Sequence, residues 1–369
     1  MTDFEDYPAN DGARLVRKGR GAASNRVGRY ERHATDAIDD GWGSLEADLP
    51  PLRTELRPDT SRSVIAWNDS PDIPFDRSIN PYRGCEHGCV YCYARPTHAY
   101  LGLSAGQDFE SKLFFKPDAA RILEAELAKP SYRCKFIALG TNTDPYQPTE
   151  KRLEITRSIL QVLAAHDHPL SITTKSALVT RDIDILAPMA AKGLATVSIS
   201  VTTLDGTLAR TLEPRASTPS KRLDAIRALN DAGVPCGVMV APCIPGLTDA
   251  EMETILDAAS AAGARDAAYI ALRLPLEIKA LFEEWLHSHA PGRAKHVLNL
   301  IREMRGGALY QSEFGTRMKG TGPYAALMER RFELACTRLG LNRARATLNT
   351  TRFHRPPRAG DQLSLFGSR

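Results

Sequence analysis

Six short runs rich in β-branched residues, each followed by a stretch with helical spacing, leave few folds open to this chain. Parallel strands need long crossover connections, and a helix in each crossover is the usual solution, so repeated β-α units predict a parallel sheet. The runs lie near residues 77–82, 134–139, 170–174, 196–201, 234–240 and 267–274. Between them the spacing predicts helices. One opens at Pro117, where proline is tolerated, and runs to about 127. Another spans 149–165, with Leu153, Ile155, Ile159, Leu160 and Leu163 apolar. A third lies near 181–192, and a fourth spans 220–232 and stops at Gly233. The last begins at Thr248-Asp-Ala-Glu251, which fits a capping box, and runs through 262. Six units predict an α/β architecture, an open, partial (β/α)6 TIM-type barrel over residues 61–290. Residues 112–116 form a further short apolar run. Residues 1–60 read as an extension, mostly loop or disordered. Residues 291–340 read as a helical C-terminal region, and 341–369 as a basic tail with a Pro-rich hinge. At 369 residues and 43% apolar content, one barrel with appendages has ample core.

Seven cysteines in a chain this long do not make a disulfide framework. Cys85, Cys89 and Cys92 stand together in the run from Arg83 to Arg95, spaced CxxxCxxC. Thiolates are soft ligands suited to iron–sulfur clusters. Three of them leave one iron of a [4Fe–4S] cluster without a protein ligand, and an open metal position can bind a small molecule. The same three with His87 or His98 could instead form a Cys3His zinc site, although zinc knuckles come in separated pairs and no second CxxC is present. Cys134, Cys236, Cys243 and Cys336 remain. Cys236 and Cys243 read as small buried hydrophobes rather than as ligands of a second cluster. Free thiols and an oxygen-sensitive cluster point to a reducing, cytoplasmic setting. The acidic N-terminus does not resemble a signal peptide, and no apolar run approaches the roughly 18 residues a membrane span needs.

The cysteine spacing, with Tyr91 just before the third cysteine, resembles the radical S-adenosylmethionine (SAM) superfamily. The stretch from Asn80 to Tyr100 is similar to the subgroup related to spore photoproduct lyase. The resemblance implies a [4Fe–4S] cluster whose open iron chelates SAM, a partial barrel, and an external electron donor of flavodoxin or ferredoxin type. It also implies a catalytic role in hydrogen relay for Tyr91 and Tyr93. One departure stands out. Spore photoproduct lyases carry a hydrogen-donating cysteine after the second strand, where this chain has Thr141 or Asn142.

Ligands of parallel α/β folds collect at the C-terminal ends of the strands. After the second strand come Thr141, Asn142, Thr143 and Asp144, where the family holds the methionine moiety of SAM; a plain turn at Asp144-Pro145 is the other reading. Lys175 ends the third strand, where an ammonium could neutralise a carboxylate. Ser198 and Ser200 on the fourth strand share a face. Arg215 follows, suited either to a bidentate carboxylate contact or to a structural ion pair. The family packs adenine near residues 241–248.

The net charge of +4 is unevenly spread. Residues 301–360 carry twelve Lys/Arg against four Asp/Glu, which suggests an anionic partner such as DNA or, alternatively, a solvated face. Near the C-terminus, Gln362-Leu363-Ser364-Leu365-Phe366 resembles the pentapeptide by which bacterial repair and replication proteins dock onto the sliding clamp. These features predict a radical SAM enzyme that acts on DNA. The alternatives are RNA, peptide or metabolite substrates, or a zinc-stabilised nucleic-acid-binding module without catalysis.

Overall fold

A computed structural model describes residues 19–31, 52–344 and 346–356. The strands within them are β1 (Glu55–Pro58), β2 (Ile65–Trp67), β3 (Arg77–Ile79), β4 (Tyr82–Arg83), β5 (Lys112–Phe115), β6 (Ile137–Leu139), β7 (Leu170–Thr174), β8 (Ala195–Ser200), β9 (Cys236–Cys243) and β10 (Asp266–Ala271). Seven form one sheet in the order β10-β9-β8-β7-β6-β3-β2. The six expected strands run parallel in chain order, and β2 adds an antiparallel edge on β3. This is the α/β, partial-barrel arrangement that the β-α repetition predicts.

Side-chain alternation explains how the sheet is covered. On β8, Ala195, Val197 and Ile199 are buried, while Thr196 and Ser198 between them are only partly so. The buried face meets the apolar stripes of the outer helices. Helix Ile155–Ala165 buries Ile155, Ile159, Leu160 and Leu163, as its spacing predicts.

Several local expectations fail, each for a physical reason. The apolar run 112–116 becomes β5, which leaves the main sheet and joins β1 and β4 in a second one. The first strand ends at Ile79 instead of reaching 82: Pro81 lacks an N–H for the ladder, and Tyr82–Arg83 pairs with β5 instead. The expected helix 149–165 is broken into Glu150–Leu153 and Ile155–Ala165, with Glu154 left-handed at φ 52°. The Glu150 carboxylate accepts from Thr156 N (3.0 Å) and Arg157 N (3.4 Å), capping the second piece. The capping box at Thr248 does not form. Thr248 Oγ1 accepts from Ile244 N (3.0 Å), while the Glu251 carboxylate accepts from Thr203 Oγ1 (2.6 Å) and Leu204 N (2.7 Å).

After β10 come helices Ile278–His289, Pro291–Met304 and Gly322–Leu339. Residues 305–321 between the last two are not helical. They link the two edges of the sheet: Ala271 N donates to Met318 O (2.9 Å), and Gly315 N to Asp72 Oδ1 (2.7 Å) in the β2–β3 connection. Residues 346–356 cross the opposite end of the barrel, near the strand starts. There Asn349 N donates to Gly193 O and His354 N to His166 O. Among the described residues of 301–360, six basic side chains pair with carboxylates: Arg302, Arg317, Lys319, Arg330, Arg331 and Arg338. Gln362, Leu363, Leu365 and Phe366 lie outside the described residues. No helix among the described residues is long and apolar enough to cross a membrane.

Candidate active site at the barrel mouth

The cysteine loop follows β4, at the C-terminal ends of the parallel strands, and its backbone is held from several sides. Gly84 (φ 77°) starts it; a Cβ there would meet Leu113 Cδ2 at 2.7 Å, Phe109 O at 2.8 Å and His98 Cε1 at 2.9 Å, so only glycine fits. Cys85 N donates to Phe109 O (2.9 Å), and Glu86 N to Gln147 Oε1 (2.9 Å). The buried Arg95 guanidinium gathers the loop's carbonyls, donating to Cys89 O (2.8 Å) and Gly88 O (3.1 Å).

Cys85 and Cys89 are 7% and 8% exposed, and Cys92 is half-buried. Burial pushes all three thiols up. The Asp144 carboxylate adds to the rise at Cys85, and Glu213 at Cys89, where Lys175 opposes it. Thiolates in this setting need an adjacent cation, which a metal centre provides. Neither candidate fourth ligand joins the three thiols in a group that could hold one metal ion among the described residues. His87 Nδ1 faces Asp144 Oδ2 at 3.3 Å, and His98 Nε2 meets Lys112 O at 2.9 Å. Among the described residues no three His, Cys, Asp or Glu side chains converge to hold a single metal ion. The donor set therefore suits a three-thiolate cluster with an open corner and not a Cys3His zinc site.

Lys175, at the end of β7, reaches across the mouth. Its Nζ donates to Ser200 Oγ (2.8 Å) and Ala241 O (3.2 Å), and lies 5.8 Å from the Tyr91 ring centroid. No carboxylate forms an ion pair with it among the described residues, and burial lowers its pKa. Ser200 also donates to Ala241 O (2.9 Å), and Ser198 lies on the same face of β8.

The loop after β6 divides into two parts. Thr141 and Asn142 are half-buried at the mouth, and Asn80 Oδ1 accepts from Asn142 N (3.0 Å). Thr143 turns inward to Tyr82 O (2.9 Å). Asp144 accepts from Tyr146 N (2.8 Å), Thr174 Oγ1 (2.6 Å) and Lys175 N (2.8 Å). Burial alone would raise its pKa, but His87 and these donors outweigh it and hold the carboxyl at about 2. Asp144 thus joins the ends of β6 and β7.

The two tyrosines differ. Tyr91 is buried; its hydroxyl donates to Glu213, which also accepts from Thr202 Oγ1 (2.7 Å) and is ion-paired with Arg222. Tyr93 is 47% exposed, donates to Thr141 O, and carries the Arg273 guanidinium 5.3 Å from its ring centroid. Arg215 lies away from Lys175, beside Glu86 (3.3 Å) and Thr54 (3.5 Å). Sequence reasoning missed Asn80, Glu213, Arg222 and Arg273. Glu213 stands two residues before Arg215, but no local signal marks it as the carboxylate that is buried.

Comparisons with known proteins agree with this arrangement. A family model described as Radical SAM superfamily matches residues 79–259, from the end of the first parallel strand through the helix after β9. An uncharacterised protein of Mycobacterium tuberculosis strain H37Rv is 40% identical over 232 residues, 62% of this chain and 68% of that one. One from Methanocaldococcus jannaschii is 30% identical over 173 residues, 47% of this chain and 62% of its own. Spore photoproduct lyase complexed with dinucleoside spore photoproduct superposes with TM-score 0.55 at 17% identity, covering 78% of this chain and 80% of that one. A mutant of that lyase with bound AdoMet and dinucleoside spore photoproduct gives the same values. At that identity the likeness is one of fold. The family model falls on the strands that carry the cysteine loop, and the Mycobacterium tuberculosis relative, at 40% identity, is matched over 68% of its length: the chain belongs to the radical SAM superfamily, whose enzymes use a [4Fe–4S] cluster and SAM.

Proposed function

We propose that Cys85, Cys89 and Cys92 hold three irons of the cluster, that SAM takes the open fourth, and that the enzyme abstracts hydrogen from DNA. One observation carries the assignment: three thiols of a single loop, two buried and one half-buried, stand at the mouth opposite a lysine that pairs with no carboxylate among the described residues. The cluster, when bound, supplies one-electron cleavage of SAM to methionine and a 5′-deoxyadenosyl radical. The electron comes from an external donor of flavodoxin or ferredoxin type. Lys175 neutralises the SAM carboxylate, and Ser198, Ser200, Thr141 and Asn142 supply hydrogen bonds around it. Asp144 and Thr143 hold the loop that presents these groups, and Arg215 steadies the cysteine loop through Glu86. Tyr91, with its hydroxyl on Glu213, and Tyr93 at the rim stand where hydrogen relay would pass.

The DNA reading draws on the rim. Tyr93, Phe314, Tyr30 and Tyr100 are exposed aromatics, and the guanidinium of Arg273 over Tyr93 pairs with no carboxylate among the described residues, whereas Arg317 beside Phe314 and Arg29 beside Tyr30 and Tyr100 already pair with Asp72 and Glu277. Exposed aromatics stack on unpaired bases, and an unpaired guanidinium meets phosphates. The basic segment lends less support, because six of its described cations already have acidic partners in the protein.

Anaerobic reconstitution followed by a 5′-deoxyadenosine assay tests this reading. UV-irradiated DNA should raise the yield above that with RNA or with no polymer. Equal yields in all three would remove DNA and leave a peptide or metabolite. Stoichiometric zinc without labile sulfide would remove the cluster assignment. The sliding-clamp reading rests on the sequence of Gln362, Leu363, Leu365 and Phe366, and equal retention of wild type and Phe366→Ala on immobilised clamp would dismiss it.

A further inference from the structure

Residues 20–25 run along the back of the cysteine loop. Glu110 there is 0% exposed. Its carboxylate accepts from Gly21 N (2.9 Å, Oε2), Ala22 N (2.9 Å, Oε1) and Arg95 Nη2 (2.5 Å, Oε1). Arg95 turns its remaining donors on the carbonyls of Gly88, Cys89, Ala105 and Gly106. Gly21 lies so close that a Cβ on it would stand 1.8 Å from Gly88 O. Arg20 Nη1 donates to Glu110 O (2.6 Å), and its Nη2 to Leu52 O (2.6 Å) and Thr54 Oγ1 (3.1 Å). Farther along, Asn25 and Asp108 bond each other twice, and Ser24 Oγ donates to Glu284 Oε2 (2.7 Å).

We propose that residues 20–25 are a clamp that sets the conformation of the cysteine loop, with Glu110 and Arg95 as positioning residues for the three thiols. The physical basis is the desolvated carboxylate. It hydrogen-bonds both the clamp's amides and Arg95, and charge-assisted bonds in a water-free site are strong. The loop itself is a series of turns whose carbonyls face Arg95, so its shape depends on that guanidinium staying in place. Losing the two clamp amides would open Glu110 to water, loosen Arg95, and let the cysteines drift apart. The proposal rests on the reading that these cysteines hold the cluster.

The test uses the full chain and two variants. Gly21→Val drives a branched side chain into the Gly88 carbonyl, and Glu110→Gln keeps shape but loses one acceptor oxygen. The first readout is iodoacetamide labelling of metal-free protein, mapped by peptide mass. Cys85 and Cys89 should label about tenfold faster in both variants, while Cys236 and Cys243 on β9 stay at wild-type rates. The second is the rate at which a chelator extracts iron from anaerobically reconstituted protein, which should rise by a similar factor. Unchanged labelling and extraction in both variants would overturn the clamp. So would equal acceleration at Cys236 and Cys243, since the segment would then support the whole fold rather than the loop. If wild type takes up no cluster at all, the cluster reading fails, while the labelling rates still judge the clamp.

Discussion

Lys175 dominates the electrostatics of the mouth. Its ammonium donates to a hydroxyl and a carbonyl, both neutral, in a site where burial disfavours the charge. A carboxylate arriving with SAM would relieve that cost on both sides. Lys175→Met should therefore weaken equilibrium SAM binding by about 30-fold, the consequence of roughly 2 kcal/mol for an unpaired buried partner, with iron content per chain unchanged. An unaltered SAM affinity would count against this role. The strand-end rule placed Lys175 in the sequence, because a lysine closing a β-branched run has only the mouth to enter. Glu213 was not legible in the same way. Its partners Tyr91, Thr202 and Arg222 come from separate elements, and nothing local marks a carboxylate as the one that will be buried.

At the scale of elements, all six parallel strands were legible, because period-two alternation and the stripe at 155–163 are local properties. What failed was settled by distant partners. Helix 149–165 breaks because Glu150 is drawn back to cap Thr156 and Arg157 and to meet Tyr82, whose position depends on β5. Residues 112–115 read simply as apolar, and their sheet depends on β1, more than fifty residues earlier. The break leaves Glu154 at φ 52°, a conformation that costs a non-glycine residue about 1 kcal/mol. Glu154 contributes little else, with only a 4.0 Å approach to Arg181. Glu154→Gly should thus stabilise the protein by about 0.5–1 kcal/mol, read as a higher urea midpoint at constant slope. A lower midpoint would mean that the left-handed residue is not strained.

For the whole molecule, the sequence indicated a barrel but not what seals its far end. Residues 341–369 read as a basic tail, because charge is all that the composition there displays. Within 346–356 the segment instead lies across the strand starts. Phe353 packs against Tyr132 (5.6 Å between centroids) and His168 (5.4 Å), and Arg355 donates to Leu127 O (3.1 Å) and Lys129 O (2.9 Å). Under that cover His168 is fully buried, with Nε2 2.7 Å from Tyr132 OH and Nδ1 2.9 Å from Pro169 O. Burial, reinforced by nearby Arg77, lowers its pKa from 6.5 to about 4. The unfolded chain therefore binds a proton below pH 6.5 that the folded protein refuses until about pH 4. Stability from this group is complete above pH 6.5 and falls as pH drops toward 4, by about 3 kcal/mol in all. Denaturant titrations at pH 7, 5.5 and 4.5 should show wild type losing stability more steeply than His168→Gln, which does not titrate. Phe353→Ala should also flatten the slope, because opening the cover lets water reach the imidazole and raises its folded pKa. Parallel slopes for wild type and His168→Gln would mean that the histidine is hydrated and that the segment does not seal the barrel.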